Sequence, residues 1–449
     1  MKIPLAMNSI RIKFLVMIFI TSISLQNIAY GQVNTDRSKS DSLILSDVIK
    51  VTLDNYPTIK SAEENLNAAD YKIGLAKTGY LPDIDFTANY TFLNPVAKVT
   101  IPNMGTFQFT PENNYSASLN YRQSIYDFGK TAKNVSIENV GKELSKQSLN
   151  LIKNKVAISV IANFYYILYF QKAIIIKQQE INTLNEHLDY INKKKETGSA
   201  IDYDILSTQV KVSTVESQKL DLEGALRIQT AQLNSFMGRL DGEPCYVKDN
   251  YFVMLPQVNA DSILSYAFLH REEMQMAKTK TNLAEIKFEL IKTQNMPSLN
   301  LFASGGYKNG YTPYLNAPKL NFVAGVNFRV PIFDANRTKY NRNIAKSSVI
   351  TTNLENESLK RNISNEVVEC NTNVDVASKK VHQFELQLAQ ALKAFKMAKI
   401  RFQEGTITNL DLLDASNSVS ESQLLLMKSK IDYTVSVYKL KVAIGDKLY

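Results

Sequence analysis

Hydrophobic and polar positions change period along this chain, and the changes come in the same order twice. From Leu43 to about Lys77, Val48, Leu53, Ile59, Leu66 and Ile73 lie on or near one helical stripe. Pro57 interrupts the stripe and predicts a kink or restart, and Tyr80-Leu81-Pro82 closes it. The period then drops to two. Ile84, Phe86, Ala88, Tyr90 and Phe92 alternate with Asp85, Thr87, Asn89 and Thr91. After a polar loop over 94–113, Tyr115, Ala117, Leu119 and Tyr121 alternate with Ser116, Ser118, Asn120 and Arg122. Two strands joined by a long loop make a β-hairpin over 84–124. A helical pattern follows from Asp127 to about Lys195, on the order of 100 Å at 1.5 Å per residue. It folds back near Gly198 into a shorter helix over 202–237.

The second pass repeats these steps. Asp261 to Thr293 is helical and ends at Met296-Pro297. Leu299, Leu301, Ala303, Gly305 and Tyr307 alternate, as do Phe322, Ala324, Val326, Phe328 and Val330, which predicts a second hairpin over 298–332. A long helix from Asp334 to about Gln403 turns at Gly405 into a helix over 409–444. Landmarks in the two passes share one offset: 405 − 198, 445 − 238 (both glycines) and 334 − 127 (both aspartates) each give 207. The chain is read as a tandem duplication: a first repeat over 32–238, a linker over 239–258 and a second repeat over 259–449. Each turn glycine can take the left-handed backbone that ends a helix. Asp202 in one copy, and Thr408 or Asn409 in the other, can cap the helix that follows.

The strands constrain the assembly. Each has an apolar and a polar face at the length of an outer-membrane strand. Four strands cannot close a barrel, and lipid does not tolerate an open edge. Either the hairpins are soluble and pack on helices, or several chains share one barrel; three chains would give twelve strands.

Composition changes the picture at the N-terminus. Lys2, Arg11 and Lys13 precede the apolar run Phe14–Ile20, and Ala29-Tyr30-Gly31 forms a small-x-small site, so 1–31 reads as a secretory signal peptide. The formal charge of +9 then falls to +6 (9 − 3) in the mature chain, with no basic stripe for nucleic acid. No mature stretch reads as a transmembrane helix; Val156 to Phe170 comes nearest and is too short. Cys245 and Cys370 are far apart and read as two isolated thiols. His187, His270 and His382 are each alone, so structural or surface roles are expected and no metal site. No catalytic constellation and no cofactor motif is present.

The order and spacing of these features closely resemble the TolC family of outer-membrane efflux proteins. The phrases that carry the resemblance are Ser124-Ile125-Tyr126-Asp127-Phe128-Gly129, Val330-Pro331-Ile332-Phe333-Asp334-Ala335 and the turn from Gly405 to Asp414. The resemblance implies a mainly α protomer with two transmembrane β-hairpins and very long helical hairpins. It implies a homotrimer that combines a twelve-stranded barrel in outer-membrane lipid with a periplasmic α-barrel. It also implies a passive exit duct for tripartite efflux or type I secretion, with a periplasmic adaptor and an inner-membrane transporter as partners. Asp411 and Asp414 match the aspartates that line the family's tip constriction, where they would form a cation-binding ring. Asp204 matches a latch aspartate and Phe402 its aromatic partner, but Phe402 lacks a hydroxyl and Ile407 stands where the family arginine would. That polar latch is therefore expected to be absent, with closure resting on other packing. The alternative from another class is a periplasmic coiled-coil adaptor built from the same hairpins. An enzyme using Asp411 and Asp414 is disfavoured, because carboxylates three apart on one helix lack flanking acid/base geometry.

Overall fold

The computed structural model describes residues 42–248 and 260–449. The expected signal peptide, and part of the expected linker, lie outside these residues. Helices α1 (Leu45–Asn55) and α2 (Pro57–Lys77) are followed by β1 (Asp83–Phe92), β2 (Lys98–Ile101), β3 (Gly105–Gln108) and β4 (Asn113–Tyr126). The long helix α3 (Lys130–Glu196) pairs with α4 (Asp202–Met237). The second half has α5 (Ala260–His270), α6 (Glu272–Lys292), β5 (Ser298–Lys308), β6 (Lys319–Arg329), α7 (Arg337–Gln403) and α8 (Asn409–Ile444). The helices match in length across the halves. There are 11 residues in α1 and α5, 21 in α2 and α6, 67 in α3 and α7 and 36 in α4 and α8.

Pro57 does restart the first helix, with Tyr56 extended between α1 and α2. The second half breaks at the same place without a proline, which the continuous pattern from Asp261 to Thr293 did not predict. Here the break is tertiary. Arg271 is buried at the break, and its guanidinium donates to Glu273, Glu366 and the Ala443 carbonyl. Gly445 presses against the same bend, where a Cβ would lie 2.7 Å from the Arg271 nitrogen.

The four long strands form one antiparallel sheet in the order β1-β4-β5-β6. Its register puts Phe86 beside Leu119, Leu119 beside Gly305 and Gly305 beside Phe322 on one face. Ile84, Phe86, Tyr90, Phe92, Phe322, Val326 and Phe328 are all exposed there. The opposite face is cross-linked by polar groups: Asn120 donates to Asp85 at 2.8 Å and Thr87 at 3.0 Å, and Ser304 donates to Asn120 at 2.8 Å. Phe302 and Val323 are apolar exceptions on that face, and Phe302 lies over Gly325, whose hydrogen leaves room for the ring. The expected loop at 94–113 contains a small hairpin, β2 on β3, in which Val99 and Phe107 pair and Gly105 supplies a left-handed turn residue at φ 93°. The short alternation of Val99 and Ile101 with Thr100 was too brief to separate from loop by period alone.

Each long helix starts from a left-handed kink just after its strand, at Phe128-Gly129 and Ala335-Asn336. The preceding aspartate secures the kink. Asp127 accepts from the Gly129 and Thr131 amides at 3.0 and 2.7 Å, and Asp334 accepts from the Thr338 amide at 2.9 Å.

The main core lies where α1, α2 and α8 pack on the middle of α3 and the end of α4. Val160, Ile161, Phe164, Tyr165 and Ile167 on α3 meet Ile59, Leu233 and Ile431 there, all essentially without exposure. By length and composition α3 is apolar enough to cross a bilayer. The expectation of no such helix therefore needs correcting on hydropathy, and the packing shows that this stretch serves as core. Cys245 and Cys370 are free thiols, and burial pushes the Cys245 thiol up to about 11.

Adjacent glycines in β5 give a paired test. A Cβ at Gly306 would lie 2.0 Å from the Ala117 carbonyl oxygen, whereas one at Gly305 meets nothing within 4 Å. Gly306→Ala is expected to destabilise the sheet by about 1–3 kcal/mol, the usual range for overpacking, and Gly305→Ala by much less. The thermal unfolding midpoint of the purified protein, followed by circular dichroism, checks the difference.

Candidate functional site

The ends of the two helical hairpins come together through side chains that the turns themselves position. At each turn the glycine is left-handed, with φ 72° at Gly198 and 74° at Gly405. The backbone folds back on the helix end, Ser199 donating to the Lys194 carbonyl at 2.8 Å and Thr406 to the Arg401 carbonyl at 2.9 Å. Neither glycine has a neighbour within 4 Å of where a Cβ would sit. Their requirement is conformational, and neither makes a side-chain site.

The helix starts differ between copies. Thr408 caps α8: its hydroxyl accepts from the Asp411 amide at 3.2 Å, while the Asp411 carboxylate accepts from the Thr408 amide at 2.9 Å and hydroxyl at 2.6 Å. This reciprocal box satisfies two otherwise orphaned donors. In the first copy Asp202 does not cap. Ile201 occupies the cap position, Asp202 pairs with Lys195, and the Asp204 carboxylate reaches back to the Ile201 amide at 3.2 Å. Asp204 and Asp411 therefore do the same local job one repeat apart.

Asp411 and Asp414 are both exposed in the isolated protomer. The hydrogen bonds from Thr408 hold the Asp411 carboxyl below its ordinary value. The Asp414 carboxylate makes no hydrogen bond or ion pair among the described residues.

Phe402 supplies a ring rather than a polar latch. It packs edge-on against His187 at 5.2 Å and lies 6.3 Å from Tyr190, and the Lys194 ammonium sits 5.0 Å from its centroid. A polar tie between the hairpins nevertheless exists. Asn409, buried at the start of α8, donates from Nδ2 to the Asp204 carbonyl at 3.1 Å, to Ser207 Oγ at 3.2 Å and to Thr208 Oγ1 at 3.1 Å on α4. Its Oδ1 lies 2.7 Å from His187 Nε2 on α3. An amide oxygen only accepts, so Nε2 carries the hydrogen. One side chain thus joins three helices.

Sequence reasoning placed His187 in a structural or surface role and considered Asn409 only as a cap. The signal that marks them is asymmetry between the copies. Counting 207 residues along, His187 corresponds to Ala394 and Asp202 to Asn409, so the tie has no counterpart in the other repeat.

With this geometry in hand, comparison with known proteins is direct. The sequence profile of the family described as "Outer membrane efflux protein" matches residues 48–239 and 263–446. The chain belongs to that family. Among curated relatives it is 20% identical to the outer membrane protein TolC of Vibrio cholerae over 410 residues, covering 89% of this chain and 90% of that one. It is 21% identical to the alkaline protease secretion protein AprF of Pseudomonas aeruginosa over 426 residues, covering 91% of this chain and 86% of AprF. Among solved structures it resembles VceC of Vibrio cholerae with a TM-score of 0.74 and 16% identity, covering 90% of this chain and 97% of VceC. It resembles the CmeC channel of Campylobacter jejuni with a TM-score of 0.76 and 15% identity, covering 89% and 85% respectively. The fold expected from the sequence, long helical hairpins joined to outer-membrane strands, is the fold these channels have.

Two outcomes test the tie. Asn409→Ala removes the donor shared by three acceptors on α4 and is expected to weaken the local structure by about 1–3 kcal/mol, read as faster amide exchange over 202–208. The second concerns pH. Burial lowers the His187 pKa, opposed by the hydrogen bond to Asn409 and the charge of Asp204 and reinforced by Lys194 and Lys399. A histidine with a lowered folded pKa stabilises fully above its unfolded value, about 6.5, and this contribution is lost as pH falls through the folded value. Tip exchange, corrected for intrinsic rates, is expected to rise on acidification below about pH 6.5, and His187→Gln is expected to flatten that dependence.

Proposed function

We propose that this protein is the outer-membrane exit duct of a tripartite efflux or type I secretion system, acting as a homotrimer in which each copy contributes four strands to one barrel. The observation that carries the reading is the sheet itself: β1 and β6 have edges unpaired among the described residues, and one face exposes a continuous apolar surface. In lipid such edges must find partners, and three copies of four strands would give a closed twelve-stranded barrel within the known range. The helices carry the same message. Leu206, Val210, Leu220 and Ile228 on α4, and Ile344, Leu354 and Val368 on α7, are exposed in one copy and suit burial against neighbouring copies.

In this reading the repeats over 32–238 and 259–449 each supply one hairpin and one helical pair, and the duct is passive. A periplasmic adaptor and an inner-membrane transporter supply docking and energy. The curated relatives include secretion proteins such as AprF as well as TolC, which supports a duct whose cargo is chosen by its partners. Asp411 and Asp414 form the cation-attracting ring at the tip, as six carboxylates crowded around a narrow pore, where like charges favour bound cations. Asp411 does this while also closing its capping box, so its contribution is oriented by Thr408.

Single-channel recording in planar bilayers tests the duct and its gate. The native trimer is expected to give discrete cation-selective steps blocked by divalent cations, and Asp411→Ala/Asp414→Ala is expected to lose most of the block. Steps with unchanged block would move the constriction elsewhere, and protein that stays soluble without detergent and never inserts would favour the adaptor reading.

A further inference from the structure

A pocket of about 280 Å³ lies beside the Asn409 tie, between α3, α7 and α8. Its floor is apolar and buried, with Leu184 and Leu413 at 2% and 3% exposure. Its walls are rings: His187, Tyr190, Phe395 and Phe402. Its rim carries the donors Lys399, Gln403 and Ser416, and Lys399 makes no ion pair among the described residues. Glu186 also lines the rim. A second ammonium, Lys194, lies 5.2 and 5.0 Å from the Tyr190 and Phe402 ring centroids, so Lys194 and Lys399 stand against the one carboxylate of Glu186 around the pocket.

We propose that this pocket binds a small planar aromatic anion, with its ring against Phe395, Phe402 and Tyr190 and its acidic group at Lys399. The size fits, since an apolar cavity of about 150 Å³ accommodates benzene, and the larger volume here leaves room for a fused ring with a substituent. Aromatic walls favour edge-to-face or offset contact with a flat guest. The division into a buried apolar floor and a few convergent polar groups is the ordinary build of a small-molecule site. The occupant would touch both hairpins at once, and it would place its negative charge near His187. By linkage it must then favour imidazolium, while protonation of His187 favours the occupant. The site belongs to a single protomer and does not depend on the channel reading.

The test uses the full chain purified in detergent, with 2-naphthoate as probe and neutral 2-naphthamide as comparator. Calorimetry is expected to show saturable naphthoate binding with Kd below about 1 mM, and at least about tenfold weaker binding of the amide, a difference of roughly 1.4 kcal/mol. Ser416→Trp, which fills the pocket, is expected to abolish binding. Lys399→Gln, on an exposed position that leaves the fold intact, is expected to weaken naphthoate about tenfold without changing the amide. The His187 imidazole resonance is expected to titrate at higher pH with naphthoate bound. Absence of saturable binding, or binding equal in both variants and without effect on His187, would overturn the proposal.

Discussion

The backbone groups along the outer edges of β1 and β6 have no strand partner among the described residues, and hydrocarbon offers none. Most of the remaining structure can be read as a consequence of that constraint. A sheet with an apolar face and a hydrogen-bonded polar face cannot rest in a membrane as four strands. It can do so only when other copies complete it, and the helices must then assemble under the same symmetry. The exposed apolar residues on α4 and α7 are what such an assembly leaves uncovered in one protomer. The buried core, by contrast, lies where α1, α2 and α8 pack on the middle of α3, and holds each protomer's own helices together.

The duplication shows how one unit meets two demands. Matching helix lengths in both halves keep the hairpins in step, so both tips reach the same level. The length difference is taken up between the strands: Pro82 to Asp127 spans 45 positions and Pro297 to Asp334 spans 37, and the first half uses the excess for the small β2–β3 hairpin. At the tips the copies diverge. Both retain the glycine turn and an aspartate that reaches back to its helix start, but the tie made by Asn409 to His187 on α3 and to Asp204, Ser207 and Thr208 on α4 crosses between the hairpins without a counterpart in the other copy. Symmetric parts build the frame, and the asymmetric ones join its halves.

Much of this was legible in the sequence because period is a local property. The switch between helical and strand period located both hairpins and both long helices, and Pro57 marked the break between α1 and α2. What stayed hidden was tertiary. The break at Arg271 is set by Glu366 and Ala443, far away in sequence, so no local pattern announces it. Asp202 looked like a cap by residue type, yet its neighbour Ile201 takes that position and Lys195 claims the carboxylate. The family comparison directed attention to Asp204 and Phe402 as a latch. In this chain Phe402 packs on His187, and the Asp204 carbonyl, not its carboxylate, receives the bond from Asn409. Asp411 and Asp414 stand exposed, with the first oriented by Thr408.

The central claim is that β1 of one copy pairs with β6 of the next. The direct measurement is disulfide cross-linking in outer membranes, with Cys245 and Cys370 changed to serine, one cysteine at Thr87 on β1 and a second scanned over Asn321, Val323, Gly325 and Asn327 on β6. The account predicts that at least one combination yields dimer and trimer bands under oxidising, denaturing conditions, with no product when either cysteine is absent. Failure of every combination, in protein that is folded and inserted, would contradict a barrel shared between copies.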